Sequence, residues 1–176
     1  MNLLFLLAYM SMNAAAGALE THGRFVPTGT PVVLYSVTSA TSSPATAAEL
    51  TLYQYTLPAN TLSAVGDSLY IECASTSTAA SGTKNNSAYF GTQLMSAADI
   101  SSTATMWSTW VRIAYRSSTS LLGMSVRMRD NAFTMAHTAS FGDPTVANII
   151  NCRGMGLGVA GDVFGMYMKV TYEPAK

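Results

Sequence analysis

From Val32 onward, apolar and polar positions alternate with a period of two along much of the chain, which predicts strands rather than helices. The pattern is clearest at 52–57, where Tyr53, Tyr55 and Leu57 alternate with Leu52, Gln54 and Thr56. Pro58 has no N–H to give to a ladder, so Leu57-Pro58-Ala59-Asn60 leaves the sheet, and Gly66-Asp67 supplies the turn from which Ser68 to Cys73 resumes the alternation. Further strands are expected over 32–37, 49–57, 88–94, 106–116, 121–129, 132–139, 146–152 and 163–172, with Gly91 as a bulge or a point of close approach. Within 106–116, Val111, Ile113 and Tyr115 form the face expected in the core, and Trp110, Arg112, Ala114 and Arg116 the opposite one. The Ser, Thr and Ala tracts at 38–46, 74–86 and 96–105 are expected to be loops. Ala14–Leu19 is the helix-prone stretch, and a helical turn is expected over 3–16. Strands this numerous, with turn signals between them, predict an all-β fold: an antiparallel β-sandwich of jelly-roll type with an N-terminal apolar arm. Pro27, Gly29 and Pro31 mark the boundary, which gives an arm over 1–30 and a single jelly-roll domain over 31–176.

Composition changes this picture from a lone domain to an associating one. The chain is 49% hydrophobic and only 10% charged, against roughly 25% charged residues in an average soluble chain. Long neutral tracts suit wide subunit contacts, because few charges must be desolvated there. Nine basic and nine acidic residues leave no net field to gather nucleic acid by counterion release, so no nucleic-acid partner is expected. The alternation of Arg127 and Arg129 is read as the solvent face of one strand. Cys73 and Cys152 are far apart and lack a CxxC spacing; two buried thiols are favoured over the other arrangement, a cross-sheet disulfide.

The arm carries its own signal. Leu3, Leu4, Phe5, Leu6 and Leu7 form an apolar block much shorter than the ~20 residues of a membrane span, so no membrane anchor is expected. Ala14-Ala15-Ala16-Gly17-Ala18 offers a processing site of signal-peptide type, but no Lys or Arg precedes Arg24 to supply the charged n-region. The reading is an arm retained in the mature protein. Its apolar residues, with Tyr9 and Met10, need a partner surface, which makes Leu3, Leu4, Phe5, Leu6, Leu7, Tyr9 and Met10 the expected docking or oligomerisation residues.

Candidate chemistry is thin. Gly154-Met155-Gly156-Leu157-Gly158 lacks the strand before and the helix after that a dinucleotide site needs, and is read as a bent strand or close packing at a symmetry axis. His22 and His137 are solitary, there is no GxSxG, and Asp67, Asp143 and Asp162 are read as turn residues. Trp107 and Tyr89 are read as core or interface aromatics, with stacking on sugars as the other use. No catalytic residue, metal site or cofactor is expected, and the chain is read as non-enzymatic.

The order Tyr55-x-Leu57-Pro58-Ala59-Asn60-x-Leu62, then Gly66-Asp67-x-Leu69-x-Ile71, Lys84, Phe90-Gly91 and Trp110-x-Arg112-Ile113-x-x-Arg116 resembles small jelly-roll structural proteins of tailed phage virions, of the tumour-necrosis-factor-like type. The resemblance runs over roughly 48–172, ending in a strand pair around Val159 to Tyr172. It implies a homotrimer on the outer surface of a phage particle: a capsid decoration, or cement, protein whose partners are further copies of itself and the major capsid protein. The resemblance also covers a tail-fibre or receptor-binding knob contacting host glycans, with 74–86 among its exposed loops. A secreted β-sandwich enzyme or lectin is the rival of another class; it predicts a cleaved N-terminus and an acid pair or metal cage in one cleft.

Overall fold

The structure is a computed structural model that describes residues 17–19, 25–27, 29–42, 48–78, 84–100, 106–129, 132–157 and 160–175. Every regular element among them is a strand, so the all-β class expected from the sequence is the one found. In chain order the strands are β1 (Gly17–Leu19), β2 (Phe25–Pro27), β3 (Val32–Val37), β4 (Thr41–Ser42), β5 (Leu50–Leu57), β6 (Ser68–Ser77), β7 (Lys84–Phe90), β8 (Gln93–Ile100), β9 (Met106–Ser117), β10 (Ser120–Arg129), β11 (Ala132–Phe141), β12 (Asn148–Met155) and β13 (Val163–Glu173).

Two antiparallel sheets form a sandwich. The long sheet has the order β11-β10-β9-β6-β13-β3, with β4 also pairing with β13, and the short sheet has the order β5-β12-β7-β8. From β3 to β13 the chain passes repeatedly between layers: β3 and β4 in the long sheet, β5 in the short, β6 in the long, β7 and β8 in the short, β9 to β11 in the long, β12 in the short and β13 in the long. Each crossing exposes a different strand to the opposite layer, so the core is built almost wholly from contacts distant in sequence.

The core follows from alternation within each strand. Leu69, Ile71 and Cys73 of β6, Val111 and Ile113 of β9, Leu121 of β10, Ala88 and Phe90 of β7, Ile150 and Cys152 of β12, and Met168 and Val170 of β13 are all buried between the layers. Val111 and Ile113 thus lie where the sequence placed them, and Tyr115 packs partly buried against the same core. Gly154 of β12 is required by close approach: a Cβ there would stand 2.8 Å from Val163 Cγ1 and 2.9 Å from Leu52 Cδ1. The glycine cluster is therefore inter-sheet packing at this position, within one molecule.

Asp67 closes the loop between β5 and β6. Its Oδ2 accepts hydrogen bonds from the amides of Ser63 (2.9 Å) and Ala64 (2.8 Å), and its Oδ1 from the Ala175 amide (2.9 Å) and the Tyr172 hydroxyl (3.0 Å). Burial alone would raise the Asp67 pKa, but these donors stabilise the carboxylate and hold it below its ordinary value. The turn residue expected from the sequence is thus also the anchor of the C-terminal end.

Several expectations need correction. Cys73 and Cys152 form a disulfide across the sandwich, with Cα atoms 6.1 Å apart, where buried thiols were favoured. β6 runs to Ser77 and β7 starts at Lys84, so much of the expected loop 74–86 is strand. The reason is that its polar residues face inward and find partners across the layers: Asn86 Nδ2 donates to Ser75 Oγ at 2.7 Å and to the Arg153 carbonyl at 3.2 Å. Gly91 is not a bulge within one strand but lies in the turn between β7 and β8, with φ of 58°; it is the point of close approach that was the other expectation, since a Cβ there would stand 3.3 Å from Asn148 Oδ1. β8 likewise extends to Ile100, into the expected loop 96–105. The end of the helix-prone Ala14–Leu19 run is strand: Gly17–Leu19 pairs with Phe25–Pro27, Pro27 being the terminal residue of its strand, opposite Gly17, where proline is tolerated. The helical turn expected over 3–16 lies outside the described residues.

Candidate interaction face

β9, β10 and β11 form one meander at the end of the long sheet, and their registers decide which side chains share a face. Leu122 stands opposite Ala114; Met124 opposite both Arg112 and His137; Val126 opposite Trp110 and Met135; Met128 opposite Ser108 and Phe133. Directly opposite residues in an antiparallel pair project to the same side. The other phase of β10 holds Leu121, Gly123 and Ser125, all buried, so the row of Leu122, Met124, Val126 and Met128 is on the outer face, away from the short sheet. Met106 joins this face from β9, two and four residues before Ser108 and Trp110.

The result is a broad apolar surface in contact with water. Exposure is 54% for Met106, 42% for Leu122, 48% for Met124, 67% for Phe133 and 68% for Met135. No Asp, Glu or Lys stands in this part of the ladder; Arg112 at its border pairs with Glu173 at 2.8 Å. From Ala132 to His137 the side chains of β11 are exposed in both phases, and β11 pairs only with β10 among the described residues.

The two phases of β10 do not divide as its arginines suggest. Arg129 is exposed and Arg127 half-buried, as a solvent face requires, yet both share the phase of the buried Leu121, Gly123 and Ser125, so that phase meets solvent only at its far end. The inner phase looks polar and small because other elements fill its space. A Cβ on Gly123 would lie 2.8 Å from Phe141 Cε1 and 2.1 Å from the end of the Met95 side chain, and Ser125 Oγ donates to the Met95 carbonyl at 2.7 Å. The one available signal was the run of alternate residues Leu122, Met124, Val126 and Met128, which a hydrophobic-inward rule assigns to the core.

The rest of the outer long sheet differs. Over β6 and β13, Tyr167 donates its hydroxyl to Glu72 Oε2 at 2.9 Å, and Lys169 Nζ stands 3.8 Å from Glu72 Oε1. Burial, helped by that bond to a carboxylate, pushes the Tyr167 pKa up to about 12.

On the outer face of the short sheet, Glu49 accepts hydrogen bonds from Ser87 Oγ and from the Tyr89 hydroxyl (3.0 Å), and Arg153 Nη1 lies 3.6 Å from its Oε2. The Arg153 guanidinium sits over the Tyr89 ring at 4.3 Å. Asn151 lies between Gln54 and Tyr89 in the ladder, is buried, and its Oδ1 has no hydrogen-bond partner.

Of the residues singled out from the sequence, Trp107 is fully buried in the core, and Tyr89 is the partly buried ring beneath Arg153. His137 is an exposed member of the apolar face. Asp143 caps its own turn, accepting from the Thr145 amide at 2.8 Å and hydroxyl at 2.6 Å, and Asp162 accepts from the Leu157 amide at 2.7 Å. Leu3, Leu4, Phe5, Leu6, Leu7, Tyr9, Met10 and His22 lie outside the described residues, as do 79–83 of the expected receptor loop. Among the described residues no three His, Cys, Asp or Glu side chains gather as a metal cage, and no helix is long and apolar enough to cross a membrane.

No protein-family model matches this chain, and no curated protein matches it. Two solved structures are similar to it. The CBM2 module of the evolved Dit protein of Lactobacillus casei BL23 phage J-1 is 9% identical over 70% of this chain and 69% of its own, with a TM-score of 0.41. The infectious bursal disease virus Gt strain structure is 12% identical over 90% of this chain, with a TM-score of 0.26, and this chain spans 42% of its length.

Proposed function

We propose that this chain is a structural protein of a phage particle: a jelly-roll decoration protein that sits on the outer surface of the head, associates as a homotrimer and contacts the major capsid protein. Its work is mechanical, adding contact area between neighbouring subunits rather than carrying out a reaction. The observation that carries the reading is the exposed apolar face of β9, β10 and β11, free of Asp, Glu and Lys and with its Arg112 paired to Glu173, a surface of the kind that marks association. Strand order supports the jelly-roll part of the reading, because β3-β13-β6-β9 and β5-β12-β7-β8 are two four-stranded ladders wound alternately by one chain. The arm residues Leu3 to Met10 are assigned to docking on the particle by their apolar character. The test is attachment: particles lacking the protein are mixed with the full chain or with a chain missing residues 1–20, then imaged. Labelled heads with the full chain and bare heads with the truncation are expected; labelling of the tail tip alone would overturn the decoration role.

A receptor-contacting knob is the second reading. It is favoured by the short sheet's outer face, where the unpartnered Asn151 Oδ1 lies between Gln54 and Tyr89 beside Arg153. Binding to a host-glycan array that Asn151→Ala removes would select it.

A further inference from the structure

We infer that the occupant of the apolar face is a second copy of this chain, packed sheet against sheet on the same β9, β10 and β11 surface across a two-fold axis. The inference rests on the proposal that the protein works by association, and it names the partner. The area fits. Taking roughly 200 Å² for a fully exposed large side chain, Met106, Leu122, Met124, Phe133 and Met135 present about 550 Å² of apolar surface. A stable interface takes roughly 800 Å² from each partner. Trp110, Val126, Met128 and His137, which lie on the same face, stand within the remaining footprint.

Charge and shape favour a copy of the same chain. A two-fold contact brings each patch against itself, so any net charge within it would face its own like. This face carries no carboxylate and no lysine; Arg112, opposite Met124, is paired with Glu173, Arg116 stands beyond Ala114 at the far end of β9, away from the apolar centre, and the whole chain has a net charge of zero. Methionine suits a surface that must match its own image, because its unbranched side chain can adjust to fill gaps that a β-branched residue leaves. Four methionines, Met106, Met124, Met128 and Met135, stand on this face. Along β6 it is rimmed by the Glu72, Lys169 and Tyr167 group, which completes the apolar centre and polar rim of an ordinary subunit contact. A two-fold contact of this kind is separate from any threefold contact, and the two together would close two trimers into a pair.

The test is the mass of the full chain in solution, by light scattering or sedimentation at tens of micromolar, beside the double variant Phe133→Glu/Met135→Glu. The expected result is an even number of copies for the unmodified chain and half that mass for the variant, with unchanged circular dichroism. The halving is read whether the larger particle is a dimer or a pair of trimers, so failure of the trimer proposal and failure of this inference are distinguishable. An unmodified monomer, or a variant that is folded and keeps the parental mass, overturns the inference. A monomer that binds particles through these same residues assigns the face to the shell instead. A second measurement needs no variant: in dilute peroxide, Met124 and Met135 should oxidise at least tenfold more slowly than free methionine. Oxidation at the free rate, at a concentration where the protein is associated, overturns the inference equally.

Discussion

The sandwiched part of the molecule and the hairpin of β10 and β11 are made from the same kinds of residue and use them in opposite ways. In the sandwich, Ile113, Leu69, Phe90 and Ile150 are shut between two layers and tied by a covalent link. In the hairpin, Phe133, Met135 and Met124 face water, while the inner phase of β10 keeps Gly123 and Ser125 to receive side chains from elsewhere. The difference teaches that apolar character alone does not report burial here. One region uses it to hold the fold and the other leaves it in contact with water, so substitutions in the first should change stability and, under the proposed self-association, substitutions in the second should change association.

Four substitutions sharpen this division. The largest effect belongs to the disulfide. Replacing Cys73 and Cys152 by Ala removes a cross-link spanning 79 residues, which the loop-entropy relation values at about 4 to 5 kcal/mol; denaturant titration should show the loss directly. Next comes Ile113→Ala, which empties a fully buried position in β9 and should cost about 2 to 5 kcal/mol by the same measurement.

Asp67→Asn should cost about 1 to 3 kcal/mol, because one amide cannot accept from the four donors that now surround the carboxylate. It should also change the pH profile. The folded pKa of Asp67 is depressed, so its contribution is present above the unfolded value of 3.8 and is lost as pH falls through the lower folded value. The variant should lack that acid slope. At the other end, burial and the bond to Asp67 push the Tyr172 pKa up to about 12, so its contribution is present below 10 and lost as pH rises through about 12.

The smallest effect should come from the hairpin. Phe133→Ser, measured at a dilution where copies are separate, should shift unfolding by about 0.5 kcal/mol or less, since the side chain is 67% exposed. A loss comparable to Ile113→Ala would erase the distinction between the two regions.

Much of the fold was legible because strands announce themselves through alternation: β3 begins and ends at the expected residues, and β9, β10 and β13 lie within a residue of theirs. What escaped was whatever depends on the opposite layer. Ser75 and Asn86 look like loop residues until each is seen to satisfy the other across the sandwich. Cys73 and Cys152 could be paired only once β6 and β12 were known to face each other. The outer apolar face was hidden by a local reversal of the usual rule. With Gly123 and Ser125 turned inward, the apolar residues between them had no place in the core, and nothing within β10 itself announces that Met95 and Phe141 fill the space. Leu3 to Met10 of the arm, where the sequence placed docking, lie outside the described residues.

The position of the disulfide has a mechanical consequence. β6 lies between β9 and β13 in its sheet, and β12 lies between β5 and β7 in the other. The bond therefore joins interior strands of both layers, not their margins. A pull that would peel or slide one layer from the other is carried by a covalent bond at the middle of each, so yielding must begin within a sheet, by parting of hydrogen-bonded neighbours. The outermost strands can tear away under load while the centre of the molecule stays in one piece.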